Sequence, residues 1–522
     1  MNFRVDFGAG ILQSDPHNIF CHTSWQTSEV LMSQTPSSDT EDRQYRSKVA
    51  AIEPYGVDHI PDIERHGTPR SQFSIWFAAG MNFPIMVLGF SAVSYGLSLT
   101  AAVTAIVLGS LVGAAVMGIL SQMGARLGVP QQIQSRGPLG FFGNFIPVAY
   151  INIFAGIGWA AVTIILGAQA MHRLASSIPF WLSALVLVTI QLVVAVFGYN
   201  MIHFLQKILS FILFAGFVLI TVVSVANAQT VGFHADPHAR FYIGSVGGWI
   251  TFAGFFLSFL IAWWPFASDY SRYLPDDDRT ARRAGAYTVA GNFITLTWLG
   301  IAGALLGGSA VSGEQPIDAL ARLTGSWAPV ALLVVMLSSF SQNFLNVYGG
   351  AISVQTLRIP VSRRTAVIVI CVIAFLISLW ADEGFEAKFK NFLFLGAYLI
   401  APFGAALLLD YFVGGRKDKT RIGELYDETR MLEWGFVAWI VGVIASVPFW
   451  NLSFYQGWVS VHHPDWGDLT YVVGFVVAAI VYLLTYRLPG LRRHTKSIAA
   501  TEIADTVEVA AAVPVASREE QP

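Results

Sequence analysis

Residues Ile250–Pro275 read ITFAGFFLSFLIAWWPFASDYSRYLP, and their first nineteen residues, 250–268, carry no charge. As a helix rising ~1.5 Å per residue they approach the ~30 Å hydrocarbon core of a bilayer. Pro265, directly after Trp263 and Trp264, interrupts that helix and frees backbone carbonyls, which then need a neighbouring helix, water, an ion or a ligand. Charge returns at Asp269 and Arg272, with Tyr270 and Tyr273 at interface depth. The stretch reads as a membrane span with a binding site at its break.

Composition agrees. Only 12% of the 522 residues are charged and 54% are hydrophobic, against roughly 25% charged in a soluble domain, so the chain is a polytopic membrane protein in contact with lipid. A net charge of −2 argues against a nucleic-acid partner, and two cysteines, Cys21 and Cys371, supply no disulfide framework or metal pattern. Residues 1–70 are polar without a sustained period and are expected to form a largely disordered cytoplasmic tail. No basic stretch followed by an apolar run marks a cleaved signal peptide, and Met32 competes with Met1 as the start.

Between Arg70 and Arg126 no charge occurs over 55 positions, which is room for two spans. Twelve candidates follow, at about 73–96, 99–120, 142–171, 179–198, 204–226, 246–268, 285–308, 327–354, 365–380, 389–412, 434–450 and 469–486. With the N-terminus inside, the inner loops hold fifteen Lys and Arg, and the outer loops hold five: Arg173, Arg240, Arg322, Lys388 and Lys390. The positive-inside rule therefore predicts a multi-pass protein of the cell membrane with both termini cytoplasmic.

The spans divide into two five-helix repeats, 71–226 and 246–413, followed by two helices in 434–487 and a disordered cytoplasmic tail, 488–522. A five-helix unit repeated once is inverted in the membrane, and its first helices are expected to be broken. Span 1 carries Gly80-Met81-Asn82-Phe83-Pro84 in its middle and span 6 carries Trp263-Trp264-Pro265. Glycine and proline are common in membrane helices; their recurrence at comparable places in both halves is what carries this reading. The expected fold is all-α, with twelve transmembrane helices in a leucine-transporter-like 5+5 inverted repeat, broken helices 1 and 6, and two C-terminal helices.

Polar groups inside the spans outline a site. In span 3, Trp159 and Thr163 lie at i and i+4 on one face after Gly156 and Gly158, so a flat heterocycle has access to the indole. In span 8, Ser338, Gln342 and Asn346 recur every fourth residue as a polar stripe flanked by Ser341 and Asn343. Such a stripe can be interhelical glue worth roughly 1 kcal/mol per contact, but two carboxamides with several hydroxyls exceed what glue needs. A carboxamide offers donor and acceptor together, which suits the mixed edge of a nucleobase.

The segment from about Ile52 to Phe412 resembles the nucleobase:cation symporter-1 family, the purine, cytosine, allantoin and hydantoin permeases. Ser135-Arg136-Gly137-Pro138-Leu139-Gly140 is similar to the family's Ser-Arg-x-x-x-Gly, and Ser268-Asp269-Tyr270 to the end of its Trp-x-Pro-x-Ala-Ser-Asp-Tyr. The resemblance implies that Trp159 and Trp263, rather than Trp264, stack on the substrate. It also implies that Gln342, Asn346, Thr163 and Asn82 help bind it. Departures are Thr163 where the family has an amide, Gln342 for Asn and Leu345 for Pro, all bearing on substrate choice. The implied activity is import of cytosine or purines by cation symport, with a Na⁺-coupled hydantoin or allantoin carrier as the alternative.

No ionisable residue is expected mid-span in spans 1, 3, 6 or 8, where a buried carboxylate would mark a proton relay. A Na⁺ cage is available from span 1 carbonyls near Ala79 and Asn82 with the Ser338 and Ser341 hydroxyls, while the purine-cytosine branch points to H⁺. Asp269 and Arg272, at i and i+3, are either a cytoplasmic gate or an interfacial pair. GGRKDKT at 414–420 lacks P-loop spacing, and His462-His463 has no further ligands, so no cofactor, metal or enzymatic activity is expected. An amino-acid permease of the same architecture would bind a carboxylate at a half-helix N-terminus without needing paired tryptophans.

Overall fold

The computed structural model describes residues 53–228, Phe233 and 246–492. Residues 1–52 of the expected N-terminal tail and 493–522 of the C-terminal one lie outside the described residues. Among the described residues nine helices are long and apolar enough to cross a membrane, or ten when one bent pair counts as a single span. That pair is α1 (Arg70–Gly80) and α2 (Phe83–Phe90), followed by α3 (Leu99–Leu127), α4 (Phe145–Leu174), α5 (Phe180–Phe197) and α6 (Tyr199–Asn227). The second half holds α7 (Val246–Ile261), α8 (Asp278–Gly308), α9 (Pro316–Thr324), α10 (Ala328–Thr356), α11 (Arg363–Ala381) and α12 (Phe385–Phe412). Two shorter apolar helices close the order, α13 (Trp434–Ser446) and α14 (Thr470–Thr485). At 16 residues α14 rises ~24 Å, so the twelve expected segments are all helical but the last two fall short of a full crossing.

The bundle is apolar on the outside, with Phe211 71% and Leu484 77% exposed, as a surface in contact with lipid must be. Its interior holds the buried amides, hydroxyls and charges.

Both expected breaks are present. Span 1 bends by 56° where α1 ends at Gly80. Asn82 adopts extended backbone, and its Oδ1 caps α2 by accepting from Ile85 N at 3.3 Å, while Pro84 sits in the first turn where a missing N–H is harmless. In span 6, α7 stops at Ile261, a 3₁₀ turn forms around Pro265, and the chain continues in turns to Leu274. Span 3 contains a break of another kind that periodicity did not suggest: Asn152–Gly158 is π-helical and leads directly into Trp159. Such widened turns frequently accompany functional sites. Here Gly156 lets the backbone of α10 approach, since a Cβ at that position would fall 2.9 Å from Gly350 Cα.

The segment 53–69, assigned to the tail by its polarity, packs onto the bundle instead. Ile60 N donates to Gly128 O at 2.9 Å, His66 N to Tyr273 O at 2.6 Å, and Tyr426 Oη to Val57 O at 2.9 Å. Its charges misled because Glu53 and Arg65 have buried partners rather than water: Arg272 Nη2 for Glu53, and Ala125 O at 2.9 Å for Arg65 Nη1.

Candidate functional site

Trp159, at the end of the π-helical stretch, is buried and meets Phe259, Phe389 and Phe392 edge-on, with ring centroids 5.0–5.7 Å apart. One helical turn beyond Phe259, Trp263 is equally buried and meets Trp76 of α1 at 5.6 Å and 75°. Trp76 in turn meets Tyr270 at 5.3 Å and 90°. The Tyr270 hydroxyl donates to Leu345 O at 2.8 Å, which ties the unwound part of span 6 to α10 beside Asn346. Three broken or widened elements thus converge on α10 with their indoles inward. Trp264 faces the other way: its Nε1 donates to Gly113 O at 3.3 Å, and its ring lies against Gly404 and Phe475.

The polar stripe of α10 is fully buried, and its members differ in what they bond. Both side-chain atoms of Gln342, Oε1 and Nε2, have no hydrogen-bond partner, nor has Asn346 Oδ1; Asn346 Nδ2 donates to Asn343 Oδ1 at 3.2 Å. Trp76 Nε1 is likewise buried and unpartnered. A buried polar group without a partner costs ~1–3 kcal/mol, and the Gln342 carboxamide leaves one donor and one acceptor open, as does that of Gln132.

The other candidates are already engaged. Thr163 Oγ1 lies 3.0 Å from both Trp159 O and Ala160 O and bonds within its own helix. Asn82 Nδ2 donates to Ala79 O at 2.5 Å, so both ends of this amide serve the helix break. Ser338 Oγ donates to Val335 O at 2.7 Å, and Ser341 Oγ to Ala78 O at 2.8 Å.

Asp269 and Arg272 do not pair with each other. Asp269 Oδ1 accepts from Gln131 N at 2.9 Å, whereas Arg272 Nη2 reaches Glu53 Oε1 at 2.6 Å, and that same oxygen accepts from the Tyr273 and Tyr348 hydroxyls at 2.7 and 2.9 Å. The i, i+3 relation that suggested the pair presumes a helix, and the chain here is unwound. Neither residue is interfacial; both are buried within protein.

Sequence reasoning missed Trp76, Gln206 and Glu53. Gln206 lies near the start of α6 between His203 and Lys207, so its amide reads as part of a polar helix end rather than as a site. For Glu53, 17 residues before α1, no sequence signal exists.

At the same end of the bundle, outside the spans, burial lowers the Arg136 guanidinium to about 10, while its Nη2 donates to Thr356 O at 2.7 Å. Burial works to raise the Glu424 carboxyl, but hydrogen bonds from Arg421 and Arg416 outweigh it and hold it at about 2.

The family model described as "Permease for cytosine/purines, uracil, thiamine, allantoin" matches residues 59–474. The chain is 29% identical over 465 residues to YxlA of Bacillus subtilis, provisionally named a purine-cytosine permease, covering 85% of this chain and 97% of that one. It is 27% identical to the purine-cytosine permease fcyB of Emericella nidulans, covering 83% and 88%. Among solved structures it is similar to Mhp1, a nucleobase-cation-symport-1 family transporter in a closed conformation with bromovinylhydantoin bound: TM-score 0.65, 21% identity, 83% and 96% covered. That likeness bears on the fold, a leucine-transporter-like arrangement of helices.

Proposed function

We propose, of a chain that belongs to the family of permeases for cytosine/purines, uracil, thiamine and allantoin, the nucleobase:cation symporter-1 family, that it imports cytosine or a purine by cation symport through alternating access. Members of this family are membrane transporters, not enzymes. One observation supports the substrate class: the Gln342 carboxamide presents a donor and an acceptor, both buried and both without a hydrogen-bond partner. A nucleobase is flat on two sides and alternates donors and acceptors along its edge. Trp159 and Trp263 take the two faces, Gln342 and Asn346 Oδ1 read the edge, and Trp76 Nε1 supplies a further donor. Thr163 and Asn82 shape the wall.

The coupling ion we assign is H⁺, by the resemblance of the motifs to the purine-cytosine branch, and the coupling junction is that of Ala79 and Asn82 with Ser338 and Ser341. Both termini face the cytoplasm, so the strap from Glu53 to Pro69 closes the inner mouth. Alkaline phosphatase activity from a reporter fused after Pro522 would refute that orientation. Uptake that persists after the proton and sodium gradients are both collapsed would make the protein a facilitator.

Radiolabelled cytosine and purine binding to purified Trp159→Ala, Trp263→Ala and Trp264→Ala tests the site. Stacking contributes ~1–3 kcal/mol per ring, so either of the first two should weaken binding by about tenfold to a hundredfold, and the third should leave it unchanged. A large loss at Trp264 alone would put the register of span 6 in error. No loss at any of the three in well-folded protein would end the nucleobase reading.

A further inference from the structure

Gln206 of α6 sits where the break in span 1 meets α10. Its Oε1 accepts from Ser341 Oγ at 2.6 Å and its Nε2 donates to Ser341 O at 2.5 Å. Ser341 Oγ also lies 2.8 Å from Ala78 O, in the last turn of α1. Both side chains are fully buried. The neighbouring carbonyl, Ala79 O, accepts from Asn82 Nδ2. A broken helix leaves carbonyl oxygens with partial negative charge directed into the bundle, and a cation between that helix and a serine of α10 is one way to satisfy them. Here the Ser341 hydroxyl does that work for Ala78 O, held in place by the Gln206 amide. The single Ser341 hydroxyl proton is shared between Ala78 O and Gln206 Oε1, and Gln206 Nε2 donates to Ser341 O, so the amide engages both oxygens of Ser341 from α6.

We propose that Gln206 is a built-in neutral occupant of the junction between α1, α6 and α10, and that it makes this transporter indifferent to Na⁺. The proposal rests on the symporter reading above but not on the identity of the substrate. It goes beyond the choice of H⁺ by naming the residue that excludes Na⁺ and by predicting what its replacement does. With Glu at position 206 the junction gains a carboxylate, which requires either a proton or a cation, so sensitivity to pH or Na⁺ should appear.

The test needs no substrate. Thermal unfolding of the purified full-length protein is followed as NaCl replaces KCl at constant ionic strength, because an ion that binds only the folded state raises the midpoint as its concentration rises. Wild type should show no dependence on the NaCl fraction, and Gln206→Glu should show a midpoint that depends on NaCl or on pH. A wild-type midpoint that climbs with NaCl overturns the proposal, whether or not Ser341→Ala abolishes the climb. A folded Gln206→Glu protein indifferent to both also overturns it. If Gln206→Glu does not fold, wild type alone decides, with Gln206→Ala as the second variant: removal of the amide should confer a NaCl-dependent midpoint, and a folded Gln206→Ala protein without one counts against the proposal. Failure of cytosine binding in the tryptophan series, with these midpoints as expected, would discard the substrate and keep Gln206.

Discussion

At the end of the bundle that carries the N-terminal segment, Glu53 and Arg272 meet at 2.6 Å with neither side chain accessible to solvent, and two tyrosine hydroxyls converge on the same carboxylate oxygen. At the opposite end Arg173 pairs with Asp318 while 52% and 28% exposed, beside a cavity of about 300 Å³ lined in part by Phe83, Gln169, His172 and Asp382. An exposed pair contributes ~0–1 kcal/mol, whereas removing one partner of a buried pair costs ~3–5 kcal/mol. The Arg173–Asp318 contact is therefore a weak surface pair. The Glu53–Arg272 contact is reinforced by the backbone bonds that tie the 53–69 strap to Gly128 and Tyr273.

Glu53→Ala attacks that contrast where the effect should be largest. It strands the Arg272 guanidinium, so stability should fall by ~3–5 kcal/mol in thermal or denaturant unfolding. A cysteine placed at the buried Ser353 should become reactive to impermeant reagents from the strap's side. Unchanged unfolding and unchanged reactivity would show that the pair does not hold the strap in place.

Asp468, just before α14, brings a titrating group to the other end. Burial raises its carboxyl to about 6, against hydrogen bonds from Tyr398 and Thr470. The folded state thus holds a proton that the unfolded chain releases near the ordinary value of 3.8, so stability should decline as pH rises from about 4 to about 6, by up to ~3 kcal/mol. Asp468→Asn should flatten that decline in unfolding midpoints collected across the window. A wild-type profile that rises over the same range would contradict the sign.

The open carboxamide of Gln342 belongs to neither ion pair. Gln342→Leu removes two unpartnered buried polar atoms, so the substrate-free protein should lose nothing and gain up to ~1–3 kcal/mol in unfolding, while nucleobase binding weakens about tenfold or more. Destabilisation together with unchanged binding would make Gln342 a structural amide. Arg173→Ala should have the smallest effect, within ~1 kcal/mol in unfolding and shrinking further with added salt. A loss comparable with that of Glu53→Ala would erase the distinction between the ends.

Much of the fold was legible because its determinants are local. Uncharged runs of span length, the breakers Gly80-Met81-Asn82-Phe83-Pro84 and Trp263-Trp264-Pro265, and the spacing of Ser338, Gln342 and Asn346 are properties of neighbours in the chain. The resemblance separated Trp263 from Trp264, and in the structure the two indoles do point apart. The π-helical turn before Trp159 was not legible, because it depends on Gly156 meeting Gly350 of another helix.

The sequence by itself determined the solvent this protein lives in, the approximate span boundaries, the sites of helix breakage and the family, since hydropathy, breakers and motifs act over a few residues. Only the tertiary structure decided which polar groups are used up and which stay open. Asn82 and Ser341 are consumed by the break in span 1, Arg272 belongs to Glu53 across 219 positions rather than to Asp269 three away, and Gln342 is left without a partner. The physical reason is that a buried hydrogen bond is set by which faces meet, and faces distant in sequence meet only once the helices have packed.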